Sequence, residues 1–410
     1  MSRFSLFSEY YHQDLDLFFR SLVPNGKTDT KVFADEGITG KYDYLLLPNS
    51  FVYLEDVQEF IAKLKKHCYP TSRVVVVYYS FLWRPLLILA SLLGLRKKDK
   101  KEPNWLTPPD IANLFILSGF DEVVRGKRFL FPLKIRFISD IINRFIAQLP
   151  FINALCLTSY QIFRLIPAHR DYSVSIVIPV RNEEGNIQGI LKKIPKLGSD
   201  TEVIFVEGHS QDNTYRAIIE EISQLKNRLK AYLYRQKGEG KGDAVRMGFA
   251  KAKNEILMIL DADLTVDPKE LTKFYRALCD GYAEFVNGSR LVYPLEKQAM
   301  RTLNYLGNAL FSKVFTFLLG QRVKDTLCGT KVLFRRDYIR IEKNRSYFGN
   351  FDPFGDFDLL FGASKLHLKI IEIPVRYKAR TYGETNISRF RHGWLLLKMA
   401  IIGAKKTKFV

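Results

Sequence analysis

From about Asp171 onward the sequence keeps changing its period. "SVSIVIP", "EVIFV", "KAYLY" and "EILMIL" are short, β-branched, apolar runs. Between them "EEGNIQGILKKI", "DNTYRAIIEEISQL" and "GDAVRMGFAKA" repeat their apolar residues at helical spacing. This alternation constrains the fold more than any other feature. A strand followed by a crossover helix pairs parallel with its neighbour, so an α/β domain with a parallel sheet and helices on both faces is expected over residues 171–410. Its ligands belong at the carboxyl ends of the strands.

The loops at those ends carry the chemistry. In "ILDADLTVDP" a buried strand breaks into Asp261 and Asp263. Two carboxylates at i and i+2 can turn toward one hard cation, and oxygen ligands suit magnesium or manganese. A solvated turn is the plainer alternative. Upstream, "SIVIPVRNEEGNI" and "VIFVEGHSQDNT" are each a strand followed by a polar loop. In "GEGKGDAVRMGF", glycines 238, 240 and 242 enter a helix, where backbone can approach an anion. "NGSR" (Asn287 to Arg290) and "DTLCGTKVLFRRD" follow. Asp325 in "KDTLCG", and Asp356 and Asp358 in "PFGDFDLLFG", either cap helical segments or, for Asp325 and Asp356, supply a general base. His367 and His392 read as surface or packing residues.

From Val174 to about Arg391 this ordered set resembles the family two glycosyltransferases of the GT-A fold, a Rossmann-like architecture. Within them it looks most like the polyprenyl-phosphate (dolichol-phosphate) mannosyl- and glucosyltransferases. The resemblance implies a nucleotide-diphospho-sugar donor, inversion at the anomeric carbon, and Mg2+ or Mn2+ held on the donor diphosphate by Asp261 and Asp263. It implies donor contacts from Pro179, Arg181 and Glu183 in the first loop, Glu207 and Asp212 in the second, and Lys241 in the glycine-rich loop. It puts Arg290 and Arg301 at an acceptor phosphate. It puts Arg376 and Arg380, as further acceptor-binding residues, on the strand and loop "IIEIPVRYKARTYGETNIS" that close over the site. A phosphate acceptor is already anionic and needs no strong base. A saccharide hydroxyl, the rival acceptor, needs one from Asp325 or Asp356.

This chain also departs from the family pattern. Gly208 follows Glu207 where two acids are usual, with His209 next, so GDP and UDP both stay open. Arg181 replaces a common tyrosine, Thr265 a common glutamine and Tyr305 a common serine. Glu384-Thr385-Asn386 stands where Ser-Lys is frequent. A non-catalytic nucleotide- or polyanion-binding scaffold is the reading from another class, and the intact Asp261/Asp263 pair argues against it.

Residues 1–130 form a smaller α/β region. "YDYLLLPN" and "RVVVVYYS" read as strands, "LEDVQEFIAKLKKH" as a helix, and "TPPDIANLFILSGF" as another with Thr107 as N-cap. Residues 42–124 resemble the second half of a class I S-adenosylmethionine methyltransferase. No GxGxG occurs ahead of Tyr42, so a truncated Rossmann-like domain without that cofactor is expected. Residues 131–170 read as an amphipathic helical linker. In "KIRFISDIINRFIAQL", Ile138, Ile141, Ile142, Phe145 and Leu149 recur at helical spacing beside Lys134, Arg136 and Arg144. It either packs on a domain or lies at a membrane interface.

The net charge of +20 favours phosphate-bearing partners or anionic lipid. No nucleic-acid-binding motif accompanies it, so nucleic acid is not expected. Four separated cysteines give no zinc spacing and fit a reducing compartment. The N-terminus lacks a signal-peptide pattern, and no run reaches the ~18–20 apolar residues of a span. The expected location is cytoplasmic, peripheral on the inner face of a membrane.

Overall fold

The computed structural model describes residues 3–24, 30–32, 38–93, 104–135, 137–225, 229–294, 302–345, 355–380, 382 and 389–409. The chain divides into two compact units, Met1–Pro167 with Lys405–Val410, and Ala168–Ala404.

The first unit holds β1 (Thr30–Val32), β2 (Tyr42–Leu47), β3 (Cys68–Tyr79), β4 (Phe120–Arg128) and β5 (Thr158–Leu165) in the order β1-β2-β3-β5-β4. β1, β2 and β3 are parallel, and β5 runs antiparallel between β3 and β4. The run of valines in β3 serves two cores. Val74 and Val76 pack with helices Val57–Leu64 and Pro108–Leu117. Val75 and Val77 pack with helix Arg3–Leu22 through Tyr11, Leu15 and Phe18. A strand covered on both faces is apolar throughout, as "VVVV" is. Thr107 closes a capping box with Asp110 at the start of the second helix. β5 lies inside the 131–170 stretch, where no strand was expected. The helix expected over 134–149 is regular only from Ile138 to Arg144, followed by a 3-10 turn at Ile146–Gln148.

The second unit adds β6 (Val174–Val180), β7 (Thr201–Glu207), β8 (Lys230–Arg235), β9 (Ile256–Ile259), β10 (Phe285–Ser289), β11 (Lys331–Phe334) and β12 (Ile370–Pro374) in the order β12-β10-β11-β9-β6-β7-β8. Alternate residues of one strand feed opposite cores. Ile176 and Ile178 of β6 join helices Thr214–Ser223 and Leu271–Cys279, while Val177 joins helices Lys241–Lys251 and Asp356–Lys365. This is the α/β doubly covered sheet that the alternation predicts. One strand departs from the all-parallel expectation: β11 is antiparallel to both β10 and β9. After β10 the chain crosses helix Thr302–Leu319 and returns to the edge it left, so the next strand must run the other way. The start of β11 therefore meets the carboxyl ends of the six parallel strands.

Candidate active site

The first loop leaves β6 after Pro179 and Val180. Arg181 is exposed, and Glu183 is buried. The Glu183 carboxylate accepts from Asn186 Nδ2 at 2.6 Å and from Arg380 at 3.0 Å. Burial raises its pKa, against the pull of Asn186 and Arg380. Glu207 ends β7. It accepts from the Ser210 amide through Oε1, and its buried Oε2 has no hydrogen bond, although Arg235 Nε lies 3.4 Å away. Asp212 is turned to local work. Its carboxylate accepts from the amides of Thr214 at 3.0 Å and Glu184 at 3.4 Å, which ties the first two loops together.

The glycine-rich loop precedes helix Lys241–Lys251. Gln236 donates to the Gly240 carbonyl at 2.8 Å and to Asp243 at 3.0 Å, fixing the turn. Gly242 makes room for backbone, since a Cβ there would lie 2.8 Å from the Gly355 amide. The Lys241 ammonium sits 2.6 Å from Asp261 Oδ1. Burial works against that ammonium, but Asp261 and then Asp356 outweigh it and hold the pKa above its ordinary value. Asp261 is likewise opposed by burial and held low by Lys241.

Asp263 folds into its own turn. Oδ1 accepts from the Thr265 amide at 3.1 Å and hydroxyl at 2.8 Å, with Leu264 at φ 51° between them. Oδ2 accepts from Arg380 at 3.0 Å, so one guanidinium bridges Asp263 and Glu183. Among the described residues no three His, Cys, Asp or Glu side chains converge as a metal cage. The side chains of Asp261 and Asp263, 32% and 14% exposed, are partly open at the strand end. Gly329 forms the wall beside them: a Cβ there would fall 2.1 Å from Asp261 Oδ2 and 2.4 Å from Lys241 Nζ.

Arg290 follows β10, and Asp325 lies under it. Asp325 is fully buried and accepts from Arg290 Nε at 2.7 Å, its second guanidinium nitrogen at 2.8 Å and its amide at 3.0 Å. Asn308 Nδ2 adds a fourth bond at 3.0 Å and the Leu327 amide a fifth at 3.1 Å. Burial opposes the Asp325 charge, but Arg290 dominates the outcome and pulls the carboxyl down to about 2. Glu372 on β12 supports the pair, accepting from the Asp325 amide at 3.1 Å, the Lys324 amide at 2.7 Å and Asn287 at 3.0 Å. Arg290 also lies over the Tyr377 ring at 5.2 Å. Asp356 opens its helix and pairs at 3.0 Å with Lys331, which is wholly buried. Arg376 is exposed and faces the Tyr293 ring at 5.7 Å. Arg301 and the 384–386 loop lie outside the described residues.

The structure thus draws Glu183, Lys241, Asp261, Asp263 and Arg380 together and pairs Arg290 with Asp325, close enough for Arg290 to act on Asp261. Asp212 belongs to the loop scaffold. Lys331, Glu372 and Asn308 were not anticipated. The one signal for Lys331 was a cation at the head of the apolar run "KVLF".

The glycosyl transferase family 2 model matches residues 175–341, inside the second unit. An uncharacterized protein of Methanocaldococcus jannaschii is 33% identical over 168 residues, 38% of this chain and 69% of that protein. The chain belongs to glycosyl transferase family 2. This glycosyltransferase is also similar to a dolichyl-phosphate hexose transferase of Haloferax volcanii, 28% identical over 221 residues, 54% of this chain and 89% of that one. Among solved structures, the glucosyl-3-phosphoglycerate synthase of Mycobacterium tuberculosis in complex with Mn2+, UDP-glucose and phosphoglyceric acid aligns at 17% identity. That alignment covers 58% of this chain and 80% of the other, with a TM-score of 0.43.

Proposed function

We propose that the second unit transfers a sugar, with inversion, from a nucleotide-diphospho-sugar to a polyprenyl phosphate or a related membrane-linked acceptor, with a divalent metal. The observation that carries the acceptor half is the Arg290–Asp325 pair. A carboxyl fully buried, held at about 2 and already accepting five hydrogen bonds is a poor base for a hydroxyl. Asp356, facing Lys331, is no freer. An acceptor whose oxygen is already anionic needs neither. Asp325 instead occupies the Nε and one terminal nitrogen of Arg290, fixing the guanidinium in one orientation and leaving its other terminal nitrogen to meet a phosphate.

On the donor side, Asp261 and Asp263 would hold Mg2+ or Mn2+. Two hard carboxylates leave most of the shell to diphosphate oxygens, which is how magnesium commonly binds. The bound ion would neutralise charge on the departing diphosphate. Lys241 and Arg380 keep two cations beside it. The buried Oε2 of Glu207, without a hydrogen bond and 3.4 Å from Arg235 Nε, would accept from the nucleobase. The first unit serves as a platform at the membrane, on its cytoplasmic side.

Transfer from GDP- and UDP-sugars, with manganese or with chelator, onto a short-chain polyprenyl phosphate and onto free saccharides tests the reading. Metal-dependent product on the phosphate is expected. Product on saccharides alone overturns the acceptor, and unchanged turnover in chelator overturns the metal.

A further inference from the structure

The helix Ile138–Arg144 is inside out. Its buried residues are Ser139 and Asn143, while Ile138, Ile141 and the following Phe145 are exposed. The polar side is fastened. Asn143 Oδ1 accepts from the amides of Leu130 at 2.9 Å and Phe131 at 2.8 Å, and its Nδ2 donates to Phe131 O at 2.9 Å and Tyr10 Oη at 3.0 Å. Ser139 accepts from the Ile135 amide at 2.7 Å. These bonds fix which face points outward, and that face presents Ile138, Ile141 and Phe145 between the charged Asp140 and Arg144.

A second such surface adjoins it within the same unit. Helix Arg84–Leu92 buries only Leu87 and exposes Leu86, Ile88, Leu89 and Leu92. Trp83 Nε1, just before it, donates to Leu155 O at 2.8 Å. Lys127 Nζ joins the same seam, donating to Ala154 O at 2.8 Å and Ser80 Oγ at 3.1 Å. Asn153 donates to Ala147 O at 2.8 Å, linking that turn back toward the inverted helix. Between them Phe151 is 92% exposed.

We infer that this face of the first unit docks on an anionic phospholipid bilayer. Charge selects the occupant. From Phe129 to Phe163 the sole acid is Asp140, against Lys134, Arg136 and Arg144, and from Phe81 to Leu93 the sole charged residue is Arg84. Arg144 donates to Phe409 O at 2.8 Å, which brings the exposed Lys405 and Lys406 of the C-terminal segment to the inverted helix. Apolar side chains rimmed by cations match an interface with negative headgroups. A second copy would set the same cations against themselves in a chain of net charge +20. No helix among the described residues is long and apolar enough to cross a membrane, so the face would lie on it. The inference deepens the membrane-linked part of the proposed function.

Sedimentation of the full chain with vesicles of phosphatidylcholine, alone or mixed with phosphatidylglycerol, tests it. Binding to the anionic vesicles is expected to exceed binding to the neutral ones. The pairs Ile141→Ser with Phe145→Ser, and Leu86→Ser with Leu89→Ser, should each weaken it roughly ten-fold or more, with unfolding unchanged because these side chains are exposed. Lys134→Gln and Arg144→Gln should cost roughly five-fold each. Equal binding to neutral vesicles, or serine pairs that bind as wild type, overturns the inference. So does a dimer in sedimentation velocity that the serine pairs disperse. Asp263→Asn should bind vesicles normally, and Phe145→Ser should keep transfer to a detergent-dispersed short-chain polyprenyl phosphate. Loss of docking and loss of the acceptor reading are therefore seen separately.

Discussion

Asp325→Asn separates a positioning carboxylate from a catalytic base. The side chain is fully buried, and three of its five partners belong to Arg290, whose own side chain is only 12% exposed. Asparagine keeps one acceptor oxygen but replaces the other with an NH2 that faces a guanidinium. That leaves a buried cation without its countercharge, which costs on the order of 3–5 kcal/mol. Linkage gives a second view of the same pair. A folded pKa of about 2 against an ordinary 3.8 corresponds to about 2 kcal/mol. Because the folded pKa is depressed, that stability is complete above the unfolded value and is lost as pH falls through about 2. Urea unfolding of the Asn variant at neutral pH should show the loss. Arg290→Ala combined with Asp325→Ala should be less destabilised than the sum of the single changes, since no charge is left unpaired. A variant as stable as wild type that has lost all transfer would refute this reasoning and make Asp325 the base.

Asp263→Asn should abolish metal-dependent donor turnover while circular dichroism and thermal unfolding stay close to wild type, because it removes a proposed metal ligand and a partly exposed ion pair rather than core packing. Gly329→Ala puts a methyl where Asp261 and Lys241 now sit, so donor affinity measured by calorimetry should fall although both side chains can move aside and the unit still folds. Lys331→Met strands the buried Asp356, and urea unfolding should register a loss on the order of 3–5 kcal/mol.

The strand-end loops around Asp261 were legible because their signals are local. A buried strand that stops at Asp261 announces itself by the abrupt change of polarity, and glycines before a helix do the same. Ion pairs between distant segments have no such spacing. Arg380 could be placed near the site, but nothing in the sequence says that it bridges Glu183 and Asp263. Lys331 hid inside a strand pattern, with its partner on another element. β5 escaped for a different reason. "TSYQIFRL" looks half exposed, yet Thr158, Ser159, Gln161 and Arg164 are all buried. Gln161 accepts from Tyr78 at 2.8 Å and donates to Pro108 O at 3.0 Å, and Arg164 pairs with Asp121 at 3.2 Å. Hydrogen bonding let polar residues occupy a central strand. The inverted helix at 138–144 is the converse case: its period was readable, but which side faces inward was decided by Asn143 and Ser139.

The reversed direction of β11 has an architectural consequence. Glu183, Lys241, Asp261 and Asp263 hang from or follow strands β6 to β9, whereas Arg290, Asp325 and Glu372 belong to the β10–β12 portion. β11 is the seam between them, and it enters the sheet at the carboxyl ends of its neighbours instead of leaving there. The seam does not part the charges: Arg380, which follows β12, bridges Glu183 and Asp263, and Asp356 acts on Lys241 across it. A change in the β10–β12 portion therefore reaches the β6–β9 edge through Arg380 and Asp356, and the two portions of the sheet are not independent.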